Sequence, residues 1–275
     1  MRLDGHAARR RFSQNFLHDP RQIARIVGAI DPRPGQAIVE IGPGLGALTE
    51  PLLRRAGHLV VIELDRDLAQ RLRERFDPAE LTVIEADALA VDWPAVAKEA
   101  VERHGAGDGS LRIVGNLPYH ISTPLLFALM PIAAQVADQH VMLQKEVVDR
   151  MVAAPGTAAY GRLSVMLQMR YRIERLFDIG AGAFTPAPKV QSSVARLVPR
   201  PVAELPVVDA GVFARIVAAA FSQRRKTLRN ALSAILDAEG IRAAGIDPAV
   251  RGETLGVDAY VRLAREAAAR SAPAG

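Results

Sequence analysis

The run Asn116-Leu117-Pro118-Tyr119 carries the most chemistry of any in this sequence, and it follows the apolar stretch Leu111-Arg112-Ile113-Val114-Gly115. An asparagine side chain offers a carbonyl oxygen as acceptor. The backbone carbonyl of Leu117 offers a second, and Pro118 sets the turn that aims it. Tyr119 adds an aromatic face on which a base can stack. Two acceptors beside a stacking face suit the exocyclic amine of a nucleobase. Such an amine is a poor nucleophile, because its lone pair is delocalised into the ring. Held through its N–H bonds, it can be aimed at an electrophilic methyl such as that of a sulfonium. Positioning then carries most of the catalysis, and neither a side-chain nucleophile nor a metal is required. The same four residues could also form an ordinary Asn-x-Pro turn, so their neighbours decide.

Those neighbours describe an adenosine site. Glu40-Ile41-Gly42-Pro43-Gly44-Leu45-Gly46 stands where a strand runs into a helix. Glycines there let backbone approach a ligand, and the following helix presents free N–H groups. The spacing is G-x-G-x-G, which differs from the pyrophosphate-binding G-x-G-x-x-G. Glu63 ends the second strand, about twenty residues on, where an acid can bond two ribose hydroxyls. Asp87, after the third strand in Glu85-Ala86-Asp87-Ala88-Leu89, can accept from the exocyclic amine of a bound adenine. Each feature alone has a purely structural explanation. Glycine, acid and acid on three successive strand ends describe one adenosine site, of a nicotinamide cofactor or of S-adenosylmethionine, along the carboxyl edge of a sheet.

The elements that must position these groups alternate. Strands are expected at Ala37–Ile41, His58–Glu63, Leu81–Glu85 and Leu111–Gly115, with helices over Leu45–Arg55 and Leu68–Phe76. A further helix pattern, carried by Ile23, Ile26, Val27 and Ile30, precedes them. Alternation of this kind gives an α/β fold with a parallel sheet and helices on both faces. Later strands include Val141–Leu143 and Ser193–Val198. Pro199-Arg200-Pro201 sets the expected boundary between a domain of residues 1–200, opening with a basic arm, and a helical domain of residues 201–275. Helices are expected there at Phe213–Phe221, Thr227–Leu236 and Val257–Ala268. Gly105–Ser110 is expected to be a surface loop, because it precedes a strand.

Composition narrows the class. Of 275 residues 49% are hydrophobic, enough for a sizeable core, and no apolar run is long enough to span a bilayer. No apolar signal core follows the arginine-rich start, and there is no cysteine to form disulfides or thiolate metal sites. A cytoplasmic enzyme is expected. The net charge is +5, carried almost wholly by arginine, which grips phosphate through two bonds and stacks on bases. Arg9, Arg10 and Arg11 form one cluster; Arg224, Arg225 and Lys226, read as lying on a helix, form another. Both are candidates for contacts with RNA phosphates.

Taken together, Gln14-Asn15-Phe16-Leu17, the glycine turn, Ile62-Glu63-Leu64-Asp65 and Asn116–Tyr119 resemble the ribosomal RNA adenine N6,N6-dimethyltransferase family. Leu143–Val147, Tyr160–Ser164, Phe184–Val190 and Phe221–Thr227 match as well, so the resemblance spans essentially the whole chain. It implies a Rossmann-like S-adenosylmethionine-dependent methyltransferase sheet with a small helical C-terminal domain. The implied substrate is a pair of adjacent adenines in a 3′-terminal hairpin of small-subunit (16S) rRNA within the 30S particle. The implied enzyme is a monomer that contributes to small-subunit biogenesis. Asn15, Leu17, Gly42, Gly44, Glu63, Asp87 and Asn116 are expected at the cofactor. Asn116, Leu117, Pro118 and Tyr119 are expected at the target base, with Phe184 as an opposing stacking face. His120 stands where the ribosome-assembly branch is expected to carry asparagine, and leans toward the branch that dimethylates large-subunit rRNA and confers antibiotic resistance. Phe221–Thr227 and Ile246-Asp247-Pro248 through Glu253 favour the assembly branch. A non-catalytic assembly factor would not need the intact Asn116–Tyr119 run. A DNA adenine methyltransferase would more often carry proline at Leu117. A dehydrogenase is disfavoured by the glycine spacing.

Overall fold

The computed structural model describes residues 2–3, 6–7, 14–104, 111–223 and 225–271. The expected loop Gly105–Ser110, the arginines Arg9, Arg10 and Arg11, and Arg224 lie outside them. The chain divides into two compact units, Met1–Val148 with Arg172–Pro199, and Asp149–Tyr171 with Arg200–Gly275. The second unit therefore draws in a segment from mid-chain that a single division at residue 200 does not contain.

The first unit is built on a seven-stranded sheet. Its strands are β1 (Ala37–Ile41), β2 (Leu59–Glu63), β3 (Leu81–Glu85), β4 (Leu111–Asn116), β5 (Val136–Gln144), β6 (Tyr171–Ile179) and β7 (Ser192–Pro199), in the order β3-β2-β1-β4-β5-β7-β6. β1 runs parallel to β2 and β4, β2 to β3, and β4 to β5, while β7 is antiparallel to β5. Every residue of β1 and β2 is buried. This explains their continuous apolar text, because strands covered on both faces do not alternate. The strand order reverses between β1 and β4, and Ile41 lies in register with Ile62 on one side and Gly115 on the other. The carboxyl ends of three strands thus meet at the switch point where such sheets bind ligands.

Helices cover the sheet through apolar stripes. In α1 (Pro20–Ile30), Asp19 caps the start by accepting from Arg21 N at 2.8 Å, and Pro20 takes a first-turn position where no N–H is needed. Ile26, Val27 and Ile30 are buried in a core shared with Ile38, Leu52, Leu59 and Val61. The far end of α1 is closed by Arg112 of β4, which donates to Ile30 O at 2.7 Å and forms a buried two-bond pair with Asp138 at 2.8 and 3.0 Å. A buried arginine is tolerated because carboxylate and helix carbonyl take its N–H groups.

Two expectations shift here. The helix after β1 is α2 (Thr49–Ala56), starting four residues later than its apolar text suggests. Gly44 and Gly46 hold φ of +59° and +81°, so turns replace helix up to Leu48. The helix α3 (Arg66–Arg75) follows β2, capped by Asp65, which accepts from Asp67 N at 3.1 Å. An additional helix, α4 (Trp93–His104), lies between β3 and β4, α5 (Ser122–Ala128) follows β4 and α6 (Lys145–Val152) follows β5. Among the described residues no helix is long and apolar enough to cross a membrane.

The second unit is helical. α7 (Arg162–Arg170), α8 (Ala210–Ser222), α9 (Leu228–Ala231), α10 (Ala238–Ala243) and α11 (Val257–Ser271) enclose a core that includes Phe213, Ile216, Val217, Leu228, Leu232, Tyr260 and Leu263. The helix expected over Thr227–Leu236 is only the single turn of α9. Thr227 bridges to Arg251, and the first N–H groups of α9 are tied to a neighbouring segment, Leu228 N to Val250 O at 2.8 Å and Arg229 N to Pro248 O at 3.0 Å. Arg225 and Lys226 consequently lie in the turn between α8 and α9, both exposed, and not on a helix.

Candidate active site

One cavity opens at the carboxyl ends of β1, β2, β3 and β4. Asn15, Leu17, Gly42, Gly44, Glu63, Asp87, Asn116, Leu117, Pro118 and Tyr119 all line it, together with Glu40 and His120. The fold brings these residues together from five separate stretches of chain.

The glycine turn is shaped by close approach. At Gly44 a side chain would meet the Phe16 ring at 3.2 Å with φ at +59°. At Gly42, with φ of +67°, it would occupy space in front of the Asn116 carbonyl at 3.6 Å. That space is open to a ligand only because no Cβ stands there. Gly115 is more stringent, since a Cβ would lie 2.5 Å from Ile41 O. β1 and β4 can adjoin here only through glycine.

The acids sit in this frame. Glu63 is buried; its Oε2 accepts from Gly44 N at 3.1 Å and its Oε1 from Asp65 N at 2.8 Å. Burial raises its pKa, and the hydrogen bonds from Asp65 and Gly44 offset part of the rise. Asp65 in turn accepts from Gln14 Nε2 at 3.0 Å, which ties the segment before Asn15 to the β2–α3 turn. Glu40 is buried at the end of β1 and accepts from Thr49 Oγ1 at 2.7 Å. Desolvation pushes its carboxyl up to about 7; the Thr49 hydrogen bond works against the rise and the nearby Glu63 charge adds to it. Asp87 accepts from Leu89 N at 2.9 Å, and its loop is pinned by Trp93 Nε1, which donates to Ala88 O at 3.1 Å.

At the end of β4, Asn116 Nδ2 donates to Asn15 O at 3.2 Å. Leu117 turns its side chain into the core, and its N–H bonds Met142 O at 3.1 Å. The turn closes through Ile121 N to Pro118 O at 3.1 Å. Tyr119 bonds Ser192 Oγ through its hydroxyl at 2.8 Å, and its carbonyl accepts from Ser122 Oγ at 3.0 Å. Burial raises the Tyr119 pKa, so the hydroxyl keeps its proton.

Phe184 does not join this group. It pairs with Leu17 in a two-stranded ribbon, is buried with Leu17, Ile179 and Val194, and is absent from the cavity wall. The ribbon holds this ring against the core, apart from the residues that line the cavity. Sequence reasoning missed Glu40, Thr49, Gln14, Asp65 and Ser192 as parts of the site. Glu40 carried a usable signal, an acid within an otherwise apolar strand directly before the glycine turn. Ser192, seventy-three residues from Tyr119, carried none.

A sheet of this order, with a glycine turn after β1, acids after β2 and β3 and Asn-Leu-Pro-Tyr after β4, defines an S-adenosylmethionine-dependent methyltransferase. The glycine cradle and the buried Glu63 suit the adenosine half of that cofactor. The chain belongs to the ribosomal RNA adenine dimethylase family, whose model matches residues 5–269. It is 55% identical over 269 residues to the ribosomal RNA small subunit methyltransferase A of Aromatoleum aromaticum, covering 98% of this chain and 97% of that one. It is 57% identical over 259 residues to the protein of the same name from Methylibium petroleiphilum, covering 94% and 96%. The fold is shared with a dimethyladenosine transferase from Plasmodium falciparum, at TM-score 0.73 and 22% identity over 90% of this chain and 95% of that one. It is also shared with the 23S rRNA methyltransferase ErmE, at TM-score 0.65 and 24% identity over 92% and 100%.

Proposed function

We propose that this chain dimethylates the N6 amines of two adjacent adenines in the 3′-terminal hairpin of small-subunit rRNA, acting as a monomer on the 30S particle in the cytoplasm. The observation that carries the reading is the setting of Asn116. Its Nδ2 is committed to Asn15 O, which leaves Oδ1 as the amide atom able to accept, on a cavity shared with the glycine turn, Glu63 and Asp87.

S-adenosylmethionine, when bound, supplies a methyl on positively charged sulfur. Glu63 accepts from its ribose hydroxyls and Asp87 from its adenine amine. Gly42 and Gly44 admit it, and Asn15 and Leu17 complete the wall. The target adenine leaves its stack at a cost of a few kcal/mol. Tyr119 offers a face against which the base recovers part of that. Asn116 Oδ1 and the Leu117 carbonyl take the amine hydrogens and direct the lone pair away from the ring plane. Positioned acceptors of this kind make a side-chain nucleophile unnecessary, and the proton that the methylated amine sheds passes to solvent. Arg225 and Lys226, with Arg224 and the arginines Arg9, Arg10 and Arg11, are assigned to rRNA phosphates.

Small-subunit specificity is supported by the relatives that share more than half of this sequence, named for the small subunit. The test is methyl transfer from labelled cofactor to under-methylated 30S particles, to 50S precursors and to DNA. Transfer confined to 30S, at two methyls on each of two adenines, is expected. Preferential labelling of 50S precursors would overturn it in favour of the large subunit.

A further inference from the structure

We propose that Ser192 is a positioning residue for methyl transfer, latching the ring of Tyr119 in the orientation that receives the target base. The inference rests on the reading of Tyr119 as the stacking face.

Ser192 opens β7 and is fully buried, in register with Gln144 of β5. Side chains alternate along a strand. The hydroxyls of Ser192 and Ser193 therefore serve different partners, Ser192 bonding Tyr119 at 2.8 Å and Ser193 donating to Asp178. Tyr119 is held at both ends, since Ser122 Oγ also donates to its carbonyl at 3.0 Å. A tyrosine ring has two side-chain rotations. The backbone turn limits the first, and a bond at the distal hydroxyl limits the second. A face fixed before the base arrives loses no freedom on stacking, which is the benefit of preorganisation.

The two partners differ in what their loss leaves behind. Replacing Tyr119 by phenylalanine keeps the stacking surface but strands a hydroxyl in a place without water, and a buried unsatisfied group is costly. Replacing Ser192 by alanine frees a tyrosine hydroxyl that is only partly buried and can turn to solvent. Replacing both removes the stranded hydroxyl, since two apolar groups of similar shape are nearly neutral.

The experiment is a double-mutant cycle with Ser192→Ala, Tyr119→Phe and both together. It reads single-turnover transfer to 30S, KM for RNA, cofactor affinity and melting temperature. One lost hydrogen bond corresponds to about a 5- to 10-fold fall in turnover. That fall is expected in each single variant, with no further fall in the double variant and with cofactor affinity unchanged. Melting temperature should drop most in Tyr119→Phe and recover in the double variant, although turnover does not. Falls that multiply in the double variant, or turnover that recovers along with stability, would overturn the latch. Tyr119→Leu separates the two readings. Wild-type turnover there removes the stacking role itself, whereas a large loss there with multiplying falls in the cycle removes the latch alone.

Discussion

Asn116 Nδ2 donates to the carbonyl of Asn15 at 3.2 Å, across 101 residues of chain. The bond fixes the amide so that its oxygen faces the role of acceptor, and it couples the segment before β1 to the end of β4. Asn116→Ala removes the acceptor and the tie together. Loss of one such positioned contact costs about a hundredfold or more in turnover. Single-turnover transfer measured beside the melting temperature should show that loss with the fold retained. Near-normal turnover would remove Asn116 from the chemistry.

Glu63 is engaged on both oxygens by backbone N–H groups of the two turns it joins. Glu63→Ala should weaken cofactor binding by about 1.5–3 kcal/mol, the range for a hydrogen bond to a charged group. Calorimetry with S-adenosylmethionine reads this directly. RNA binding should change little, and an unchanged cofactor affinity would place the ribose elsewhere.

Glu40 makes stability depend on pH. Its carboxyl is raised from 4.5 to about 7 by burial, so the folded state holds a proton that the unfolded state releases. Its contribution is full below about pH 4.5, declines as pH rises toward about 7, and is gone above that. The difference across the window is on the order of 3 kcal/mol. Glu63, also raised by burial, acts in the same direction. Glu40→Gln keeps an acceptor for Thr49 and cannot ionise. Its melting temperature should decline less between pH 5 and 8 than that of the wild type, and equal slopes would mean that Glu40 is ionised throughout.

Gly115 sets the spacing of the two central strands. In Gly115→Ala the new Cβ would stand 2.5 Å from Ile41 O and 3.0 Å from Leu117 Cδ2, so β1 or β4 must shift. Overpacking of this kind costs about 1–3 kcal/mol. Because Ile41 leads into the Gly42 turn, cofactor affinity should fall together with the melting temperature. A variant with both unchanged would show that the strands part without cost.

The site was legible in the sequence where local chemistry announces itself. Gly42 and Gly44 adopt positive φ that few other residues accept, Glu63 ends β2 and Asp87 follows β3, so glycine, acid and acid stand on three successive strand ends and could be read together. Leu45 misled as a helix start because its apolar spacing continues into α2, while the φ of Gly46 keeps that segment in turns. Phe184 was not legible in the same way. An aromatic before a proline-rich turn reads the same whether its ring faces a base or the core, and its pairing with Leu17 is a long-range contact that no local text announces. The Asp149–Tyr171 excursion into the second unit was hidden, because no composition shift marks where a chain passes between compact units.

The basic cluster yields a prediction on salt. Arg225 and Lys226 are exposed in the turn after α8, and Lys226 N bonds Gln223 O at 2.9 Å, so the turn is shaped by its own backbone. Below it Phe221 stacks on Tyr260 at 5.9 Å and meets Tyr160 edge-on at 6.1 Å, which anchors the end of α8. Arg225 and Lys226 are both exposed on this turn and so are open to a polyanion. Phosphate contacts release counterions, so each lost contact flattens the dependence of log affinity on log salt by about 0.7–0.9. Changing Arg224, Arg225 and Lys226 together to glutamine should therefore weaken 30S binding most at low salt, with a smaller slope than wild type. Cofactor affinity and melting temperature should hold, because the aromatic anchor and the glycine turn are untouched. Salt titration of 30S binding for both proteins, beside cofactor calorimetry, reads all three quantities. Parallel slopes would reduce the cluster to a solvated turn, and a joint loss of cofactor affinity and stability would trace the effect to folding instead of phosphate.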